Sequence, residues 1–278
     1  MLLQGEHDKS VFVCLLFSVV FIFTAQTMSS QIIFQSIAPP PELSDFVESF
    51  WLLKNLSEQQ QDMVIMPDGR VDLFFTYSAT EPFQAMLMNL DLSPSQQVMP
   101  GKTIIFAISL KLLAIEYFLD TSISELPEHV KLLPKNFLGI TLNDLSSLEH
   151  FSQKAALAIA EQLKTNIDER KRRLFSFLYA SNGSITVKEL ADKVYWTSRQ
   201  INRYFTQRFG VPLKTYANIL RFKASFEQIK AGKLFPEQDF ADQSHFIKEV
   251  KKYAGVNPKN LAKNQNDRFI QLLNLPKE

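Results

Sequence analysis

The sequence predicts an α+β chain of two domains. The first is an antiparallel β-barrel or jelly-roll-like domain with attached helices, and the second is all-α. Three observations lead there. Short apolar runs punctuated by Pro and Gly occupy residues 31–110, a pattern of strands and turns. From about residue 143 the apolar positions recur at helical spacing instead. Charge divides the same way: residues 170–278 carry 21 Lys and Arg against 9 Asp and Glu, whereas residues 1–169 carry 9 against 20. The expected division is residues 28–165 and 166–278, with residues 1–27 set apart.

Residues 11–25, VFVCLLFSVVFIFTA, are almost wholly apolar. They fall short of the roughly 20 residues that span a bilayer. The stretch before them is weakly acidic (Glu6, Asp8, Lys9), unlike the basic start of a signal peptide. The expectation is that translation starts at Met28 and that residues 1–27 are a translated upstream region. A signal-like or membrane-tethering segment is the alternative. Strands are expected at 31–37, 47–53, 62–66, 71–77 and 103–110. In the fourth, Val71, Leu73, Phe75 and Tyr77 alternate with Asp72, Phe74 and Thr76, and Pro67-Asp68-Gly69 before it is a turn signal. Phe34, Phe46, Phe50, Trp51, Phe74, Phe75 and Phe106 are expected to be core, with a ligand pocket as the sharper alternative. Asp68, Arg70 and Asp72 read as a surface ion-pair group near the turn.

A helix is expected over 110–119, a connection over 126–141, and a helix from 143 to about 164. The last has Leu148, Phe151, Ala155, Ala158, Ile159 and Leu163 on one face, fit for packing on the barrel or for self-association. Residues 170–173, RKRR, read as solvated linker, and residues 174–179 as a helix. Thr186 with Glu189, and Thr197 with Gln200, are capping boxes that start two short helices. Ile201, Phe205 and Phe209 then point inward, and Gly210 and Pro212 end the second helix. Arg199, Asn202, Arg203 and Thr206 form its outer stripe, with Gln200 at the edge. Arg and Asn can each bond two atoms of one base edge, so the functional reading is a helix-turn-helix with its recognition helix in the DNA major groove, and the alternative is an ordinary helical hairpin with a solvated polar face.

Residues 213–231 read as one long bracing helix. Residues 240–259 read as a second outward-facing helix, with Phe246, Val250 and Ala254 inside. YFTQRFGVP and EVKKYAGVNP echo one another 45 residues apart. Two recognition helices, at about 198–209 and 243–254, would enter successive major grooves about 34 Å apart. One cysteine excludes a disulfide framework and a thiolate zinc site, four scattered histidines give no metal spacing, and eight glycines supply no phosphate loop. No enzyme activity, cofactor or metal is expected.

The segments LADKVYWTSRQINRYFTQRFGVPLKTYANILRF and DQSHFIKEVKKYAGVNPK resemble the DNA-binding domain of AraC/XylS-family transcription regulators, over about residues 174–262. The resemblance implies a seven-helix domain with two helix-turn-helix units. By motif position it implies base contacts from Arg199, Asn202 and Arg203, with Gln200 beside them, and from Gln243, Ser244, His245 and Lys248. It also implies a cytoplasmic protein with a sensing or dimerising N-terminal domain; PDGRVDLFF is similar to that of one branch. Double-stranded DNA is the expected partner. RNA polymerase, a small-molecule effector and a second copy of the chain are the further candidates. One departure stands out. Residues 233–239 are too short for the helix that should support the second recognition helix, so the first unit is expected to carry most of the specificity.

Overall fold

A computed structural model describes residues 22–28, 31–125, 130–235, 240–273 and 275. Its first part is an antiparallel sheet of seven strands. In chain order these are β1 (Ile22–Met28), β2 (Ile32–Ile37), β3 (Val47–Asn55), β5 (Val71–Tyr77), β6 (Gln84–Met88), β8 (Ile104–Leu110) and β9 (Val130–Leu133). They lie in the order β1-β2-β3-β8-β5-β6-β9. β4 (Gln61–Ile65) and β7 (Ser95–Met99) pair separately with each other. The expected barrel is not there: β1 and β9 are the two ends of the sheet, and no closed barrel is found among the described residues. Residues 1–21 of the segment expected to lie outside the protein are outside the described residues. Ile22–Met28 pairs with β2 along the sheet edge.

All five strands expected from the sequence are present. β1, β6, β7 and β9 were not expected, and β1 lies mostly in the segment read as upstream of the protein. QAMLM lacks β-branched residues, and SQQVM is short and polar, with Gln96, Gln97 and Val98 exposed.

The sheet register sorts the aromatic residues. Phe75 lies opposite Phe106, and Leu52 lies opposite Phe106 on the other side, so these residues share one face. Helix α2 (Leu148–Gln162) covers that face, its Phe151 ring 6.4, 5.5 and 5.2 Å from Phe50, Phe75 and Phe106. The apolar face of α2 is thus buried within its own chain. Phe34, Trp51 and Phe74 belong to the opposite face, together with Asp72 and Ser109, which are directly paired.

The first core is continuous from the sheet, through α1 (Leu112–Tyr117), into the helical part. That part contains α3 (Glu169–Ala180), α4 (Val187–Val194), α5 (Ser198–Phe209), α6 (Leu213–Ala224), α7 (Phe226–Lys230), α8 (Gln243–Ala254) and α9 (Pro258–Lys263). Three expectations are corrected. Residues 170–173 are not linker: Asp168 caps α3 by accepting from the Arg170 N–H, so the basic run forms its first turns. The bracing helix is broken at buried Ser225, whose hydroxyl donates to the Phe222 carbonyl at 2.6 Å and competes with the helical bond. The helix read over residues 240–259 ends at Ala254, and Pro258 is the first residue of α9, where its missing N–H costs nothing. Of the short segment 233–239, residues 236–239 are outside the described residues. The five-residue α7 is the one helix described between α6 and α8.

Candidate nucleic-acid interface

Both capping boxes form. Thr197 Oγ1 accepts from the Gln200 N–H at 3.2 Å, while Gln200 Oε1 accepts from the Thr197 N–H at 2.8 Å. Thr186 and Glu189 do the same for α4. Tyr195 takes the left-handed conformation at the end of α4, with φ 56°, and is 80% exposed in the turn between the helices. Loss of the second box by Thr197→Ala is expected to cost about 1 kcal/mol of stability, read by urea unfolding; a change near zero would mean that the box does not hold α5.

Ile201, Phe205 and Phe209 are buried. The Phe205 ring sits 5.8 Å from Phe175, 5.3 Å from Phe209 and 5.8 Å from Tyr216. That packing fixes the rotation of α5 and turns Arg199, Gln200, Arg203 and Thr206 to solvent. Asn202 is half-buried, and its amide donates to the Ser198 carbonyl at 3.0 Å. Two of the expected base-reading groups are therefore engaged in the free protein: the Asn202 amide on its own helix and the Gln200 carbonyl in the cap.

The second unit repeats the plan. Asp242 caps α8 by accepting from the His245 N–H at 2.7 Å. Phe246, Val250, Tyr253 and Ala254 face inward. Gln243, Ser244 and Lys248 are exposed, and so are Lys251 and Lys252. His245 is half-buried, its ring 5.8 Å from Phe240 and its Nδ1 accepting from the Ala241 N–H at 3.4 Å. Both helices end on a left-handed glycine, Gly210 at φ 72° and Gly255 at φ 73°, a conformation in which any side chain would be strained.

Sequence reasoning missed the ties between α5 and the N-terminal part. Ser122 and Ser124 donate their hydroxyls to the Gln207 carbonyl at 2.8 and 2.6 Å, satisfying the open end of the helix. Arg208 Nη1 donates to the Thr121 carbonyl at 2.9 Å. The Tyr204 hydroxyl donates to Glu116 at 2.9 Å. Burial first, and the Glu116 carboxylate second, push that phenol far above its ordinary pKa, so it stays a donor. The basic run divides its work. Lys171 pairs with Glu116 and Arg172 with Asp45, both in the N-terminal part, while Arg170 and Arg173 lie over the Trp196 and Tyr195 rings beside the α4–α5 turn. Nothing in the four-residue charge run distinguished these two directions.

No curated protein matches this chain. The family model described as a domain of unknown function (DUF6597) matches residues 35–131, less than half of the chain. Solved structures of ToxT from Vibrio cholerae are similar. One, at 12% identity, covers 76% of this chain and 97% of that chain with a TM-score of 0.45. The apo K231A form, at 11% identity, covers 77% and 96% with a TM-score of 0.46. A form bound to an unsaturated fatty acid, at 12% identity, covers 78% and 98% with a TM-score of 0.41. These are distant likenesses.

Proposed function

We propose that the chain is a sequence-specific DNA-binding transcription regulator, with α5 and α8 entering successive major grooves. One observation carries this reading: two outward-facing helices in the basic part of the chain, each N-capped, packed by its inner apolar face and ended by a left-handed glycine, each presenting an outer stripe of Arg, Lys, Asn, Gln or Ser. Arg199 and Arg203 are the guanine-reading groups, and Asn202 turns to adenine once it releases Ser198. Gln243, Ser244, His245 and Lys248 serve the second groove, with Lys251 and Lys252 on phosphates. The action is binding alone, with no catalytic step. Modulation runs through the N-terminal part, whose Glu116, Ser122 and Ser124 hold the far end of α5 and so set its angle. RNA polymerase, a small-molecule effector and a second copy of the chain are the partners that such a regulator would use. Cytoplasmic placement follows from the same reading; no helix among the described residues is long and apolar enough to cross a membrane.

The test is fluorescence anisotropy of the full chain with DNA from its gene's upstream region and with a scrambled duplex, across several salt concentrations. Tighter binding to the upstream DNA is expected, with log affinity falling linearly in log salt. Equal binding to both duplexes would remove sequence specificity, and absence of binding at low salt would remove the DNA reading altogether.

A further inference from the structure

A cavity of about 880 Å³ opens between the sheet face that α2 leaves uncovered and the α6–α7 corner. Its apolar wall is built on the sheet. Phe34 and Trp51 stack at 5.9 Å, and Trp51 meets Phe74 edge-on at 5.4 Å. The three aromatic rings lie side by side on an antiparallel sheet, largely buried among Met63, Met99 and Leu273, and their remaining edges give the cavity an apolar wall for a flat or greasy body.

The charges in the cavity are unbalanced. Its lining has four carboxylates (Glu48, Asp68, Asp72 and Glu227) and two cations (Arg70 and Lys223). Both cations are already spent on Glu48: Arg70 Nη2 is 3.0 Å and Lys223 Nζ 2.9 Å from its carboxylate. Asp72 is left over. It stands on β5 beside the aromatic wall, directly opposite Ser109, whose hydroxyl donates to it. Asp72 is half-buried and lines the cavity, and its Oδ1 has no hydrogen-bond partner. A buried, unpartnered carboxylate oxygen is costly in a chain that gains nothing from it.

We propose that this cavity binds a small organic cation with an aromatic or aliphatic body, an amine or a quaternary ammonium. Asp72 takes the charge, and Trp51, Phe34 and Phe74 take the body through stacking and cation–π attraction. A carboxylate ligand is disfavoured, because it would meet Asp72 and Asp68 while both cavity cations stay on Glu48. The site stands independently of the DNA reading. Its place between the sheet and α6–α7 means that an occupant would touch both parts of the chain.

Asp72 also gives the site a pH dependence. Burial first, then the neighbouring Asp68, raise its pKa to about 7, while Ser109, Lys223 and Arg70 pull the other way. Protonated Asp72 cannot pair with a cation. A ligand whose own charge does not titrate should therefore bind more tightly as pH rises through 7.

The experiment is isothermal titration calorimetry of the full chain with benzyltrimethylammonium, with 3-phenylpropionate as the anionic counterpart. Saturable binding of the cation is expected at millimolar concentrations or below, with none of the anion. Affinity should rise about tenfold from pH 6 to pH 8, the change in the ionised fraction of a group titrating near 7. Asp72→Asn, checked for folding by circular dichroism, should lose at least tenfold and the pH dependence with it. Failure of the cation to bind, anion binding of equal strength, a flat pH profile in the natural chain, or undiminished binding to Asp72→Asn would each overturn the proposal. The pH profile decides the matter even if the variant does not fold. DNA binding enters none of these measurements, so the site and the DNA reading can fail separately.

Discussion

Replacement of Glu48 by alanine is expected to cost about 2–4 kcal/mol of stability, the cost of stranding a buried charge discounted for the partial exposure of Glu48. The Arg70 side chain is 5% exposed and that of Glu48 32%. Lys111 and Lys223 also reach Glu48, at 3.5 and 2.9 Å. One carboxylate therefore holds three cations, from the residue before β5, the start of α1 and α6. Without it, Arg70 is left in the interior beside two like charges. Its remaining help is the Gly69 carbonyl, at 3.1 Å, the Tyr179 ring, 4.9 Å away, and the fields of Asp68 and Asp72. Urea unfolding of Glu48→Ala measures the loss, and a cost under about 1 kcal/mol would mean that water reaches Arg70 freely. The double variant Glu48→Leu with Arg70→Met should recover much of the loss, since apolar replacement of a whole buried pair is often neutral. The pH dependence has a definite sign. Burial alone would raise the Glu48 pKa, but Arg70, Lys223 and Lys111 together depress it far below the ordinary carboxylate value. Its contribution is present above the unfolded-state pKa, near 4.5, and is lost as pH falls.

This group also marks where the sequence stopped being legible. The alternation of Val71, Leu73 and Phe75 with Asp72 and Phe74 assigned the strand and its two faces correctly, because period-two patterning is a local property. It could not say what would cover the second face. Arg70 and Asp72, next to a turn signal, read as solvated; in the fold, α6 and the aromatic pair Tyr179 and Tyr216 close over Arg70, and their contacts lie more than 100 residues away along the chain. The helical part was legible for the complementary reason. Capping boxes, glycine ends and inward Ile201, Phe205 and Phe209 all act within one or two turns. Its misreadings have the same root. RKRR became helix because Asp168 caps from outside the run, and the brace broke because Ser225 is buried, which no local pattern revealed. The barrel failed to close for want of pairing between β1 and β9, and closure depends on the geometry of the whole sheet.

On DNA, the double variant Arg199→Ala with Arg203→Ala should lose about 2–6 kcal/mol of affinity for the preferred site, from single costs of about 1–3 kcal/mol each. The two side chains are exposed, lie four residues apart on one stripe of α5, and have no carboxylate holding them among the ion pairs described. Nothing has to be broken before they reach a base edge. Asn202 differs: it must give up its bond to Ser198, so Asn202→Ala should cost less than either arginine variant. Lys248→Ala, in the second recognition helix, should cost less affinity for the preferred site than either arginine variant and relax base preference less. This ranking has a physical source. α5 is braced by Phe175 and Tyr216 and tied to Ser122, Ser124 and Glu116. α8 is preceded by the five-residue α7. A firmly held helix keeps its side chains aimed at one base sequence, whereas a less supported one keeps its charge but spreads its aim. An equal or greater loss of specificity from Lys248→Ala, measured by anisotropy against a panel of single-base variants of the site, would reverse the order of the two units.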